Sequence, residues 1–248
     1  MKEQLFKKIL SLLDVNSDKG YSALDFGCGT GKLLGMMTNL FPDGSNLVGV
    51  DAIPDSIETA KSQYLDVRFV DCKFVNSLPF LDHAFDVVLS VDAIECIPDK
   101  TALVNEFHRV LKPEGNLIVA HWDWDTQVYN SSHKQTLRKI VSEFSDLKQD
   151  WMDDVDGQMG RKLWALFEGS KKFHGRMEAF NLLETVYEKG CYGYDRMQDF
   201  ALLIKQGQLS ENDYKMIRAE METLNHEGEY FYSITAFIYC GSWIKEST

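Results

Sequence analysis

The sequence predicts an α/β protein, a mostly parallel sheet held between two layers of helices. Three observations point there. Apolar runs of strand length alternate with amphipathic stretches of about ten residues, the signature of strand–helix–strand units. The apolar runs lack polar alternation, as expected of strands covered on both faces. The first of them breaks into LDFGCGTGKLL (Leu24–Leu34), a glycine-rich strand-to-helix turn.

The elements follow in order. MKEQLFKKILSLLD predicts a short amphipathic helix with Leu5, Ile9, Leu12 and Leu13 on one face. YSALDF is the first strand. KLLGMMTNLF has helical spacing and stops at Pro42-Asp43-Gly44. NLVGVD is the second strand. PDSIETAKSQYL opens a helix on Pro54, with acids in its first turn. VRFV and FDVVLSV are strands three and four, and TALVNEFHRVLKPEG is a helix closed by Pro and Gly. NLIVAHWDW is the fifth strand. Residues 122–158 turn polar, acidic and Trp-rich, with a helix at KQTLRKIVSEF. GRKLWALFEGS predicts a helix and RMEAFNLLETVYE a strand. MQDFALLIKQG and SENDYKMIRAEMETL predict two helices, the second capped by Ser210. YFYSITAFIYCGSW, rich in aromatic and β-branched residues, is the last strand. No linker separates the halves. The expectation is one domain over 1–248: an N-terminal helix in 1–20, a cofactor-binding half 21–121, and a substrate-side half 122–248 with helical insertions 122–158 and 189–228.

The 26 basic and 38 acidic residues give a net charge of -12. Nucleic-acid backbones and anionic membranes repel such a surface, and no basic stripe is segregated. The N-terminal segment is too short and charged to span a bilayer, and no small-residue cleavage site follows it. Five scattered cysteines without CxxC spacing fit reduced thiols in the cytoplasm. No HxH, HExxH or Cys/His cluster suggests a metal site.

A strand–glycine–helix turn offers free backbone N–H groups at a positive helix end. Asp51 ends the second strand, at the place where an acid accepts hydrogen bonds from both ribose hydroxyls. The pair suits an adenosine-containing cofactor. A dinucleotide fingerprint wants its third glycine where Lys32 stands. A pyrophosphate also disfavours the carboxylate of Asp25; a cofactor carrying an ammonium and a sulfonium favours it.

These segments resemble the class I S-adenosylmethionine-dependent methyltransferases, in their small-molecule, type 11-like branch. DFGCGTG is similar to the family's first motif and GVDAIPDSIETAK to its second. LPFLDHAFDVVLSVDAIECI and FHRVLKPEGNLIVA are similar to the stretches around its fourth and fifth strands. The resemblance implies a Rossmann-like three-layer sandwich whose seven-stranded sheet has an antiparallel last strand. It implies S-adenosyl-L-methionine as cofactor. Asp25, Gly27, Cys28, Gly29 and Gly31 would hold the methionine end and Asp51 the ribose. Ala52 and Ile53 would flank the adenine, and Ser90 and Val91 line the methionine side. The family's adenine-contacting acid is missing: Phe74 stands there, preceded by Lys73, with Asp71 the nearest acid. Lys73 and Phe74 are carried as adenine-side positions, Phe74 as a stacking ring.

In an open parallel sheet the ligands lie beyond the carboxyl ends of the strands. The fifth strand ends in HWDWDTQVYN, where an acceptor should sit. His121, Trp122 and Asp123 are candidate catalytic residues, and Trp124, Asp125, Tyr129 and Arg161 candidate substrate contacts. An aromatic–acidic pocket suits a cationic amine. The rival readings are core packing for the tryptophans and, for Arg161, an ion pair tying an insertion to the sheet. Asp92 and Glu95, after the fourth strand, are placed to face the acceptor, with helix capping the rival reading for Asp92. Nitrogen leads oxygen, and oxygen carbon, as the methylated atom. The alternatives are an O- or C-methyltransferase, a catalytically silent S-adenosylmethionine-binding partner protein, and a nucleotide-dependent oxidoreductase weakened by Lys32 and Asp25.

Overall fold

A computed structural model describes residues 2–13, 20–74 and 76–243. Residues 14–19 of the expected N-terminal segment lie outside the described residues. The elements run α1 (Lys2–Leu10), β1 (Ser22–Phe26), α2 (Lys32–Met37), β2 (Asn46–Asp51), α3 (Pro54–Gln63), β3 (Arg68–Asp71), β4 (Phe85–Val91) and α4 (Lys100–Val110). Then come β5 (Leu111–Tyr129), α5 (Lys134–Ser145), α6 (Met159–Phe167), β6 (Phe173–Glu184), α7 (Tyr192–Asp199), α8 (Ala201–Lys205), α9 (Glu211–Glu227) and β7 (Tyr232–Trp243).

All seven strands share one sheet in the order β3-β2-β1-β4-β5-β7-β6. Strands β1 to β5 pair in parallel, and β7 inserts antiparallel between β5 and β6. Side chains leave the central strands alternately for two apolar layers. Ala23, Val87, Leu89, Ile118, Ala120 and Trp122 meet α1, α2, α3, α5, α7, α8 and α9 on one face. Leu24, Phe26, Val88, Leu117 and Val119 meet α4 and α6 on the other. Both faces are covered, which is why the strands read as unbroken apolar runs.

Three boundaries differ from the sequence expectation. The helix before the fifth strand stops at Val110; Leu111 is already extended (φ -77°, ψ 137°), two residues ahead of the helix-breaking Pro113. The fifth strand runs on to Tyr129 past a register irregularity between Asp123 and Val128, so the start of the expected 122–158 insertion is sheet. The helix expected from Met197 starts at Tyr192 and breaks at Phe200. Glu184, at the end of β6, accepts the backbone N–H groups of Tyr192 and Gly193, each at 2.8 Å, and so caps the earlier start. Ser210 caps α9 as expected, accepting from Asp213 N–H at 3.0 Å.

Candidate active site

The glycine turn is pinned to the sheet by its own backbone. Gly27 and Cys28 donate N–H to Val50 O at 2.8 and 3.0 Å. Gly27 has φ +75°, and a Cβ there would lie 2.2 Å from the Cβ of Ala93, so only glycine fits. Gly29, at φ +53°, has nothing within 4 Å of where its Cβ would stand and opens onto a cavity.

That cavity, about 430 Å³, lies beyond the carboxyl ends of β1, β2 and β4. Gly27, Gly29, Asp51, Ala52, Ile53, Lys73, Phe74 and Val91 all line it. Asp51 receives Gly29 N–H at 2.8 Å on one oxygen and Ile53 N–H at 2.9 Å on the other. Both carboxylate oxygens are thereby aimed, and each keeps a lone pair for a ribose hydroxyl. Phe74 meets Phe26 edge-on, its ring centroid 6.0 Å away, and presents a ring to the cavity. Four expected residues stand behind this wall instead of in it: Asp25, Cys28, Gly31 and Ser90. Ser90 is fully buried and donates its hydroxyl to Phe26 O at 3.0 Å, tying β4 to β1. Burial, with the Asp51 charge nearby, pushes the Asp25 carboxyl up to about 7. Burial pushes the Cys28 thiol far up as well, so it is no nucleophile.

A second cavity, about 270 Å³, adjoins the first, and Asp92 and Trp151 line both. Its walls include Glu95, Trp124, Phe144, Tyr192, Arg196 and Asp199. Asp92 holds a strained φ of +59°, unusual for a non-glycine residue and typical of functional sites. Arg196 pairs with Asp199 at 2.7 Å and lies over the Tyr192 ring, 4.9 Å from its centroid. Trp124 Nε1 donates to Glu95 at 3.2 Å.

His121 sits behind this wall, fully buried. Its Nδ1 lies 2.7 Å from Trp122 O. A carbonyl only accepts, so Nδ1 donates there and Nε2 is the ring atom turned toward the carboxylates. Nε2 is 3.7 Å from Asp92 Oδ1 and 3.7 Å from Glu95 Oε2, without a hydrogen-bond partner. The three acceptor atoms lie within 4.8 Å of one another, a grouping the sequence spacing did not foresee. A proton, an organic cation or a metal ion would each satisfy it. Burial, reinforced by the Asp92 charge and offset by His121, pushes Glu95 up to about 7.

The other expected acceptor-side residues are dispersed. Trp122 is fully buried against Tyr192, their centroids 5.2 Å apart, and lines neither cavity. Asp123 is fully buried and gives both oxygens to Arg161, one at 2.6 Å, so these two form the ion pair that ties α6 to β5. Asp125 and Tyr129 line a separate cavity of about 410 Å³ beside α5. Of the candidate substrate contacts, Trp124 alone lines the second cavity, the one adjoining the cavity at the glycine turn.

The sequence reading missed Trp151 and Asp153. They belong to the loop between α5 and α6, which reaches over both cavities. Lys73 holds the loop through Asp153 at 2.8 Å and Lys100 through Asp154 at 2.9 Å. The available signal was an exposed tryptophan set among acids, DWMDD.

A parallel sheet, a glycine turn and an aimed carboxylate at the end of β2 define a nucleoside-binding α/β domain. The comparisons narrow this class. A family model described as a methyltransferase domain matches residues 17–181, and the chain belongs to that family. It is 32% identical over 126 residues to a sterol 4-C-methyltransferase of Caenorhabditis elegans, covering 47% of this chain and 36% of that protein. It is 35% identical over 133 residues to a 2-methyl-6-phytyl-1,4-hydroquinone methyltransferase of Synechocystis, covering 51% and 41%. The matches thus span about two fifths of these curated relatives. The YcgJ protein of Bacillus subtilis shares the fold, with a TM-score of 0.61 at 19% identity over 99% of this chain and 100% of that one. Among the described residues no helix is long and apolar enough to cross a membrane.

Proposed function

We propose that this chain is an S-adenosylmethionine-dependent methyltransferase, acting as one domain, that methylates an amine nitrogen of a small molecule. The cofactor supplies a methyl group made electrophilic by its sulfonium. The residues present suit it: Asp51 for the ribose, Phe74 and Ile53 for the adenine, and the open face of Gly29 for the amino-acid end. The protein's share is to align the acceptor, exclude water and remove a proton.

The charge of the adjoining cavity carries the nitrogen reading. Three carboxylates, Asp92, Glu95 and Asp199, face one guanidinium, Arg196, which Asp199 already neutralises. Aromatic walls with surplus negative charge favour an organic cation. A second reading, methylation at carbon, is favoured by the names of the sterol and hydroquinone relatives. The five free cysteines fit a cytoplasmic enzyme, and the acidic surface disfavours a nucleic-acid partner.

The test is a panel of arylalkylamines, phenols and hydroquinones with S-adenosylmethionine, read as adenosylhomocysteine release. Turnover of an amine at least tenfold above any phenol or hydroquinone is expected. Turnover confined to hydroquinones moves the acceptor to carbon. Tight cofactor binding without turnover across the panel indicates a silent binding protein.

A further inference from the structure

Resting on the nitrogen reading above, we infer that Glu95 is the proton acceptor of the reaction and that His121 is the buried group that positions and sustains it. An amine of ordinary pKa, ~10, arrives protonated at neutral pH and has no lone pair to attack with. A proton must leave before methyl transfer, and the site needs an acceptor for it in the cavity that holds the amine.

Glu95 meets that need by position. It lines the second cavity, which adjoins the cofactor cavity at Asp92 and Trp151. Behind it, Nε2 of His121 lies 3.7 Å from its Oε2, with Asp92 Oδ1 equally distant from Nε2. Three proton-binding groups converge there within 4.8 Å of one another, so a proton at that point is shared among them. Trp124 Nε1, donating to Glu95 at 3.2 Å, fixes the carboxylate's direction. The proton passes from the ammonium to Glu95. The freed nitrogen pair then forms the bond to the methyl carbon while the carbon–sulfur bond breaks, leaving its electron pair on sulfur.

The charged and titratable surroundings of Glu95 come from every neighbouring element. Asp92 follows β4, His121 is on β5, and Asp156 stands ahead of α6. Lys100 of α4 reaches the Glu95 backbone oxygen at 3.5 Å but neutralises Asp154. Tyr192, Arg196 and Asp199 of α7 close the cavity, the last two paired with each other. Glu95 is raised to about 7, so it is half-ionised where an amine substrate needs a base.

The test uses the amine from the panel with the highest turnover. Wild type should show kcat/KM rising with pH through a limb near 7. Glu95→Gln should lower kcat at least 100-fold, abolish that limb, and leave S-adenosylmethionine affinity within twofold. His121→Gln should shift the limb while KM for the amine changes little. Should Glu95→Gln not fold, a carbon-13 carboxyl titration of wild type decides, with Glu95 expected to titrate near 7. Failure of every amine to turn over overturns the nitrogen reading and this inference with it. Amine turnover that keeps its limb in Glu95→Gln, or a Glu95 carboxyl titrating near 4, overturns the base assignment alone. Activity that requires added Mn2+, with Mn2+ binding lost in Glu95→Gln, overturns it too and makes the trio a metal site.

Discussion

Asp25 couples the stability of the fold to pH. Its carboxyl is 2% exposed and raised to about 7, first by burial and then by Asp51. A carboxyl raised in the folded state stabilises the fold fully below its unfolded value near ~4, and that stability is lost as pH climbs toward the folded value. At pH 8 the charge is therefore a burden of up to ~4 kcal/mol, three units at ~1.4 each. Asp25→Asn should raise the unfolding temperature at pH 8, with the gap to wild type narrowing as pH falls toward 4. A cationic ligand reverses the preference, because it favours the ionised form. S-adenosylmethionine affinity should rise between pH 6 and 8 in wild type, and calorimetry should find that dependence missing in Asp25→Asn. Equal melting curves at pH 8 would contradict the burial argument.

At the scale of elements, α6 is held to the sheet by charge as well as by Leu163 and Phe167. Asp123 is fully buried, while the Arg161 side chain is 42% exposed. Removing one partner of a buried pair typically costs ~3–5 kcal/mol, because the other charge is left without compensation. With Arg161 partly in water, Arg161→Ala should cost less, about 2–3 kcal/mol, measurable by urea denaturation. Adding Asp123→Asn should recover part of that loss, since no buried charge then remains. Two equal, additive losses would show that the pair is not a unit. The loop between α5 and α6 rests on weaker ties. Its pair to Lys73 is largely exposed and contributes about 0–1 kcal/mol, whereas its pair to Lys100 is half-buried.

Across the whole molecule, legibility in the sequence followed locality. The parallel strands, the glycine turn and Asp51 were readable because each is written in one continuous segment, and helix starts such as Pro54 and Ser210 carry local signals. What was not readable depends on partners far apart in the chain. Glu184 caps α7 from another element, and Trp151 reaches the cofactor cavity from a loop with no periodicity. HWDWD looked like a pocket but is a strand, so alternate residues face opposite layers. Trp122 packs in one layer, and Asp123 on the opposite side takes Arg161. The expectation of no metal site came from sequence spacing, which cannot show that Asp92, Glu95 and His121 converge. The central claim is that the cavity at the glycine turn holds S-adenosylmethionine through Asp51. Calorimetric titration of wild type and Asp51→Ala, paired with their unfolding temperatures, tests it most directly. Clear wild-type binding is expected, weakened at least tenfold in the variant, a loss of over ~1.4 kcal/mol, with the fold intact. No binding by wild type, or equal binding by a folded Asp51→Ala, would contradict the account.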